Sequence, residues 1–182
     1  MALSVFLEIV TRHMPTRDEL FRANVAGLMR QTDDDWRHTV LLDDVGRGMA
    51  WAQAQLAELS VTGQYVWLLD DDNECLLPTL VEELKAIANG HDYPDVIMMR
   101  TERGGALFPD DYHWQRPPVM GRIDAACYVV RRDVWERHAA AWSGARYESD
   151  FDFIDDVWSA GPRVFWHDVV ASRAMRISGG AA

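Results

Sequence analysis

Apolar residues in this chain fall into two rhythms. Short unbroken runs alternate with longer stretches in which apolar positions recur every third or fourth residue. "LSVFLEIV" (Leu3 to Val10), "RHTVLLDD", "YVWLLDDD" and "DVIMMR" are runs of the first kind and predict buried strands. Between them, Asp18 to Arg30 places Leu20, Phe21, Val25, Leu28 and Met29 at helical spacing, with acids at its start and Arg at its end to complement the helix dipole. "MAWAQAQLAEL" is a second helix, and "LPTLVEELKAIANG" a third, with Pro78 near its start and Gly90 just past its end. Strand and helix in alternation predict an α/β fold with a mostly parallel sheet covered by helices on both faces.

The second half is less regular. "GALFPDDYHWQRPPVMG" reads as loop, "RIDAACYVVRR" as a strand, "DVWERHAAAW" as a short helix, "YESDFDFIDDVWSAG" as an acidic helix and "PRVFWHDVV" as a last strand. No repeat or linker interrupts the chain. Its 182 residues suit a single domain over 1–178, with a frayed tail at 179–182.

Charge changes the picture. The net charge is −11, and Lys85 is the one lysine among 18 basic residues. Such acidity makes nonspecific nucleic-acid binding unlikely and suits a protein that recruits a divalent cation. No apolar run approaches a membrane span, and no leader pattern opens the sequence. Cys75 and Cys127 form no metal or redox pattern, so two reduced thiols and a cytoplasmic location are expected.

Two predicted strands run straight into acids. Asp70 and Asp72 are one residue apart, so in an extended segment both address one bound species. Mg²⁺ and Mn²⁺ bridge one or two such carboxylates to a diphosphate. An acidic turn that merely ends a strand is the plainer reading of the same residues. An EF-hand loop is excluded, since the positions needing Gly and Glu hold Cys75 and Val81. Asp43 and Asp44 end the second strand on the same sheet edge, where a carboxylate accepts a nucleobase N–H or makes an Asx turn. Gly46 to Gly48 then open a helix whose N–H groups, with Arg47, suit a phosphate. The glycine fingerprint of dinucleotide enzymes is absent. Asp150, Asp152, Asp155 and Asp156 crowd one helix, as dipole complementation or as a general base of raised pKa. His167 stands near a strand end as a candidate ligand or an ordinary surface histidine. Trp114 and Trp142 lie in loop-like segments where a ring face suits stacking on a sugar.

Taken in order, these segments resemble the nucleotide-diphospho-sugar glycosyltransferases of GT-A fold, nearest the family 2 group. "LMRQTDDDWRHTVLLDD" is similar to that family's Gln-Thr, strand, Asp-Asp segment. "GQYVWLLDDDNECLLPTLVEEL" resembles its Asp-x-Asp segment with metal-binding acids, and "SDFDFIDDVWSAGPRVFW" the segment that carries its base. The resemblance implies a GT-A-like (Rossmann-like) domain, with a donor-binding half over about 1–100 and an acceptor half over about 101–178. It implies Mn²⁺ or Mg²⁺ and a UDP-sugar as donor. Asp44 then matches the acid that contacts uracil. Asp70 and Asp72 match the outer acids of the motif, with Asp72 the direct metal ligand. Asp150, 11 residues before Gly161, matches the base. His167 stands where some relatives place a further metal or diphosphate ligand. Thr11, Arg12, Arg47 and Asp71 fall to nucleotide contact.

The sequence also departs from that pattern. Val10 to His13 replace the usual Pro-Thr-Tyr-Asn, Asp44 runs almost directly into the second helix, one extra residue separates Asn73 from Pro78, and Ser149 replaces an acid. The resemblance implies inverting, metal-dependent sugar transfer to a hydroxyl on a glycan, lipid carrier, protein, small molecule or modified DNA. The rivals are a non-catalytic nucleotide- or sugar-binding module and a sugar nucleotidyltransferase.

Overall fold

The computed structural model describes residues 5–144 and 147–175, so the tail at 179–182 lies outside the described residues. The strands are β1 (Leu7–His13), β2 (Trp36–Leu42), β3 (Tyr65–Leu68), β4 (Asn73–Cys75), β5 (Val96–Arg103), β6 (Ala106–Phe108), β7 (Tyr128–Arg131) and β8 (Val164–Ala174). The helices are α1 (Asp18–Leu28), α2 (Met49–Glu58), α3 (Leu80–Gly90), α4 (Arg132–His138) and α5 (Ser149–Ser159).

One sheet runs in the order β2-β1-β3-β7-β5-β8-β4, with β6 hairpinned onto β5. β1 pairs in parallel with β2 and β3, and β5 with β8. β7 pairs antiparallel with both β3 and β5, and β4 antiparallel with β8. The sheet is therefore mixed, which corrects the expectation of a mostly parallel one. The cause is the long connection after β6. It stays at the edge where β1, β3 and β5 end, so β7 re-enters the sheet from that edge, running downward between β3 and β5.

Both faces are covered, and the two-residue period of the strands shows it. Val66 and Leu68 of β3 join Val10, Met98, Tyr128 and Val130 in one core, under α2, α4 and α5. Tyr65, Trp67 and Leu69 join Leu7, Ile9, Ile97 and Val129 in the other, under α1 and α3. That is why β3 reads as an unbroken apolar run: no side chain of Tyr65–Leu68 meets water. Trp142 is fully buried against Trp135 and Phe153. It is a core residue and not the exposed sugar platform expected of it; the turn that carries it is a 3-10 helix lying on α2 and α5. Among the described residues no helix is long and apolar enough to cross a membrane.

Candidate active site

The basic end of β1, the acidic ends of β2 and β3 and the start of α5 converge at one sheet edge. There a cleft of about 490 Å³ is lined by Arg12, Arg17, Asp70, Asp72, Asp124 and Asp150, among others. A smaller cavity of about 130 Å³ adjoins it, with Leu41, Met49 and Ala52 as apolar wall. Arg12, Arg17, Met49 and Asp70 line both.

The three aspartates after β3 each meet a different environment. Asp70 is gripped by Arg12, whose Nε donates to Oδ1 at 2.7 Å and whose Nη2 donates to Oδ2. Asp71 is buried and points inward. It accepts from Arg17 Nη1 at 3.0 Å and from the Met14 backbone N–H at 3.2 Å, and it faces His13 Nδ1 at 3.1 Å. Asp72 is half-buried on the cleft, with Arg17 Nη1 at 3.5 Å. Burial, then the charge of Asp70, pushes its carboxyl up to about 6. The three acids end a strand side by side because Arg12 of β1 and Arg17 of the turn after it stand among them.

Asp150 is the second residue of α5, and its Oδ1 accepts from the Phe151 backbone N–H at 2.8 Å. Burial and the neighbouring charge of Asp124 push its carboxyl up to about 7. The helix is held behind it. Ser149 is buried and bonds to Gln53 of α2, while the Tyr128 hydroxyl donates to the Asp150 carbonyl at 2.9 Å.

Other expected residues lie elsewhere. Thr11 is fully buried and donates to the Leu69 carbonyl at 2.7 Å, tying β1 to the end of β3. Asp44 is exposed and pairs with Arg47 Nη2 at 2.8 Å. It is Asp43, and not Asp44, that turns into the smaller cavity, with its oxygens taken by the Arg47 and Gly48 backbone N–H groups at 2.7 and 2.6 Å. The Arg47 guanidinium lies over Trp51 at 4.1 Å. His167 is not brought to the cleft. It sits beside a bulge in the middle of β8, seven positions before Ala174, and its Nε2 meets Glu83 of α3 at 2.7 Å. Trp114 lies in its loop beneath Arg100, edge-on to Trp166.

Among the cleft residues that the sequence pattern does not single out are Asp124, Arg17 and Tyr147. Asp124 precedes β7 and caps the short turn Ala125–Cys127 by accepting from the Ala126 N–H. Burial raises its carboxyl. A strand taken as parallel would have put it at the opposite edge; the antiparallel entry of β7 brings it to the site. Arg17 sits in the turn Pro15–Arg17 before α1, and the clustering of "TRHMPTR" beside an acid-ended strand was the available signal. Tyr147, exposed on the cleft rim, has no signal in the sequence pattern.

Among the described residues no group of three or more His, Cys, Asp or Glu side chains could hold a metal ion. Asp70 and Asp71 are each engaged by an arginine, and Asp72 lies on the cleft with Arg17 Nη1 at 3.5 Å.

The fold is that of solved glycosyltransferases. S. aureus TarS 1–349 superposes with a TM-score of 0.67 at 10% identity, over 93% of this chain and 60% of that one. The same protein in complex with UDP-GlcNAc gives a TM-score of 0.66 at 10% identity, over 97% and 62%. A glycosyltransferase involved in glycosylation of the major capsid of PBCV-1 gives 0.60 at 12% identity, over 95% of each chain. The chain thus spans about three-fifths of TarS 1–349. No family model and no curated protein matches its sequence.

Proposed function

We propose that this protein transfers a sugar, of hexosyl type, from a nucleotide diphosphate, UDP by preference, to a hydroxyl acceptor. The observation that carries the reading is the convergence of Asp72 and Asp150 on one cleft that continues into a second, partly apolar cavity. A nucleotide sugar has that layout: a flat base, a charged diphosphate and a polar sugar in line. The fold shared with TarS, solved in complex with UDP-GlcNAc, supports the same reading.

In the mechanism proposed, Asp150 accepts the acceptor's hydroxyl proton. The freed oxygen forms a bond to the anomeric carbon as the bond from that carbon to the diphosphate oxygen breaks. The proton ends on Asp150, the electron pair on the departing nucleoside diphosphate, and a single in-line displacement inverts the anomeric centre. A carboxyl pushed up to about 7 is a base matched to neutral pH. Asp72 would hold a Mn²⁺ or Mg²⁺ arriving with the diphosphate, and such a cation supplies charge neutralisation to the leaving group.

A thermal-shift panel of nucleotide sugars, followed by an assay for nucleoside diphosphate release with candidate acceptors, tests this. One donor should raise the melting temperature by mass action and be turned over by the native protein but not by Asp150→Asn. Stabilisation without turnover across acceptor classes would leave a binding module instead.

A further inference from the structure

Two cavities meet at two arginines, and we propose that Arg12 and Arg17 bind the donor's diphosphate directly, so that a nucleotide diphosphate is held without a divalent cation. The inference rests on the nucleotide-sugar reading above. It departs from the metal-centred role that the resemblance gives to Asp70 and Asp72.

Placement is the first argument. The partly apolar cavity and the acid-lined cleft share Arg12, Arg17, Met49 and Asp70 along their common border. A ligand with its base in the first and its sugar in the second lays its diphosphate across that border.

The donor inventory is the second. Each guanidinium has five N–H groups in a planar fork that matches phosphate oxygens. Arg12 directs Nε and Nη2 at Asp70, and Arg17 directs Nη1 at Asp71. The buried Arg17 Nε has no acceptor. Each arginine is anchored by a carboxylate, Arg12 by Asp70 on the shared border and Arg17 by the buried Asp71, and keeps further N–H groups. An arginine held in this way is oriented before its ligand arrives, so little side-chain entropy is lost on binding.

The third argument is what the acids no longer offer. Asp70 with Arg12 and Asp71 with Arg17 are internally neutral pairs. An incoming diphosphate therefore meets arginine N–H groups and not a bare run of carboxylates. Only Asp72 remains as a hard oxygen donor from that run, and Arg17 stands 3.5 Å from it. A cation that joins at Asp72 adds to a diphosphate already held. Arg12 lies in the Val10 to His13 segment that departs from the resembled pattern, and Arg17 in the turn that follows it.

The test is calorimetric titration of the whole protein with inorganic pyrophosphate and with UDP, in EDTA and in Mn²⁺. Both ligands should bind in EDTA, within about ten-fold of their affinity in Mn²⁺. Arg12→Met and Arg17→Met should each weaken pyrophosphate about ten-fold or more, whereas Arg173→Met, in the pair with Glu102, should not. Because Arg12→Met also strips Asp70 of its partner, Asp70→Asn provides the complementary variant. It frees Arg12 from its competing anion, so pyrophosphate should bind in EDTA as well as before or about three-fold tighter. Binding that appears only with Mn²⁺ and vanishes in Asp70→Asn would overturn the proposal and leave the nucleotide-sugar reading standing. Absence of UDP and pyrophosphate binding under both conditions would overturn both. Retention of UDP in EDTA without transfer to any acceptor would keep the arginine site and sink the transferase reading.

Discussion

Gln53 Nε2 donates to Ser149 Oγ at 2.5 Å, a bond between residues 96 positions apart that fastens the start of α5 to α2. Both side chains are fully or almost fully buried. Because Asp150 is the next residue, this bond fixes where the proposed base points. Ser149→Ala should cost about 1–2 kcal/mol in urea unfolding and lower kcat more than it alters donor KM. A change in donor KM alone would show that α5 is held in place by other contacts.

The pH dependence of transfer should follow Asp150. The base works deprotonated, so the rate should rise with pH through about 7 and level off above it. Asp150→Asn should cut kcat by about 10²–10⁴, with nucleotide binding intact by calorimetry. A flat profile between pH 6 and 8 would remove Asp150 from the role.

Asp124 shapes that profile. Its charge is the second cause, after burial, of the raised Asp150 carboxyl. Asp124→Asn should therefore move the rising limb to lower pH while the protein stays folded. A limb that stays in place would mean that burial alone sets the base.

The same carboxyl should oppose folding. It gives up its proton near 3.8 in the unfolded chain and near 7 in the folded protein, so the folded state binds the proton more tightly. Its contribution to stability is present in full at low pH and is lost as pH rises from about 4 to about 7. Asp150→Asn, which has no charge to bury, should melt higher than the native protein at pH 8, with the gap closing toward pH 4. Scanning calorimetry at the two pH values decides it.

Gly63 lies against the backbone of β1. A Cβ added there would fall 2.6 Å from the Glu8 backbone N and 2.8 Å from the Tyr65 carbonyl, and neither can swing away. Gly63 also donates its N–H to the buried Glu8 carboxylate at 2.9 Å. Gly63→Ala should destabilise by about 2–3 kcal/mol in denaturant unfolding. Gly90→Ala, which meets nothing within 4 Å, serves as the control.

The first half of the fold was legible because its signals are local. β1, β3 and β5, buried on both faces, give unbroken apolar runs, and the helices between them carry their own start and stop signals; β2, expected to be buried, is instead an edge strand with Val40 and Leu42 exposed, because it has a neighbour on one side alone. The short strands Asn73–Cys75 and Ala106–Phe108 were not, since three residues carry no period. The direction of β7 could not be read either: "CYVV" has the same pattern whichever way it enters the sheet. That single unknown hid Asp124. Asp150 reached the cleft as the sequence suggested, because the first turn of a helix fixes it locally. His167 did not, because β8 runs on to Ala174 and so carries it back from the edge. Trp142 differs from its expectation because nothing local in "AAAW" shows that Trp135 and Phe153 enclose its ring.

The antiparallel strand at the centre of the sheet has a consequence for how the chain assembles. Tyr65–Trp67 and Val96–Met98 each have one neighbour elsewhere, in β1 and β8, and gain their second only when Tyr128 to Arg131 slide between them. A truncation ending at Arg103 would leave two facing strand edges and an open slot in both cores. The cleft-lining residues of the first hundred positions therefore cannot be excised as a working fragment. Their sheet stays incomplete until the ribosome has delivered the segment around residue 131, and folding must wait for that long-range closure.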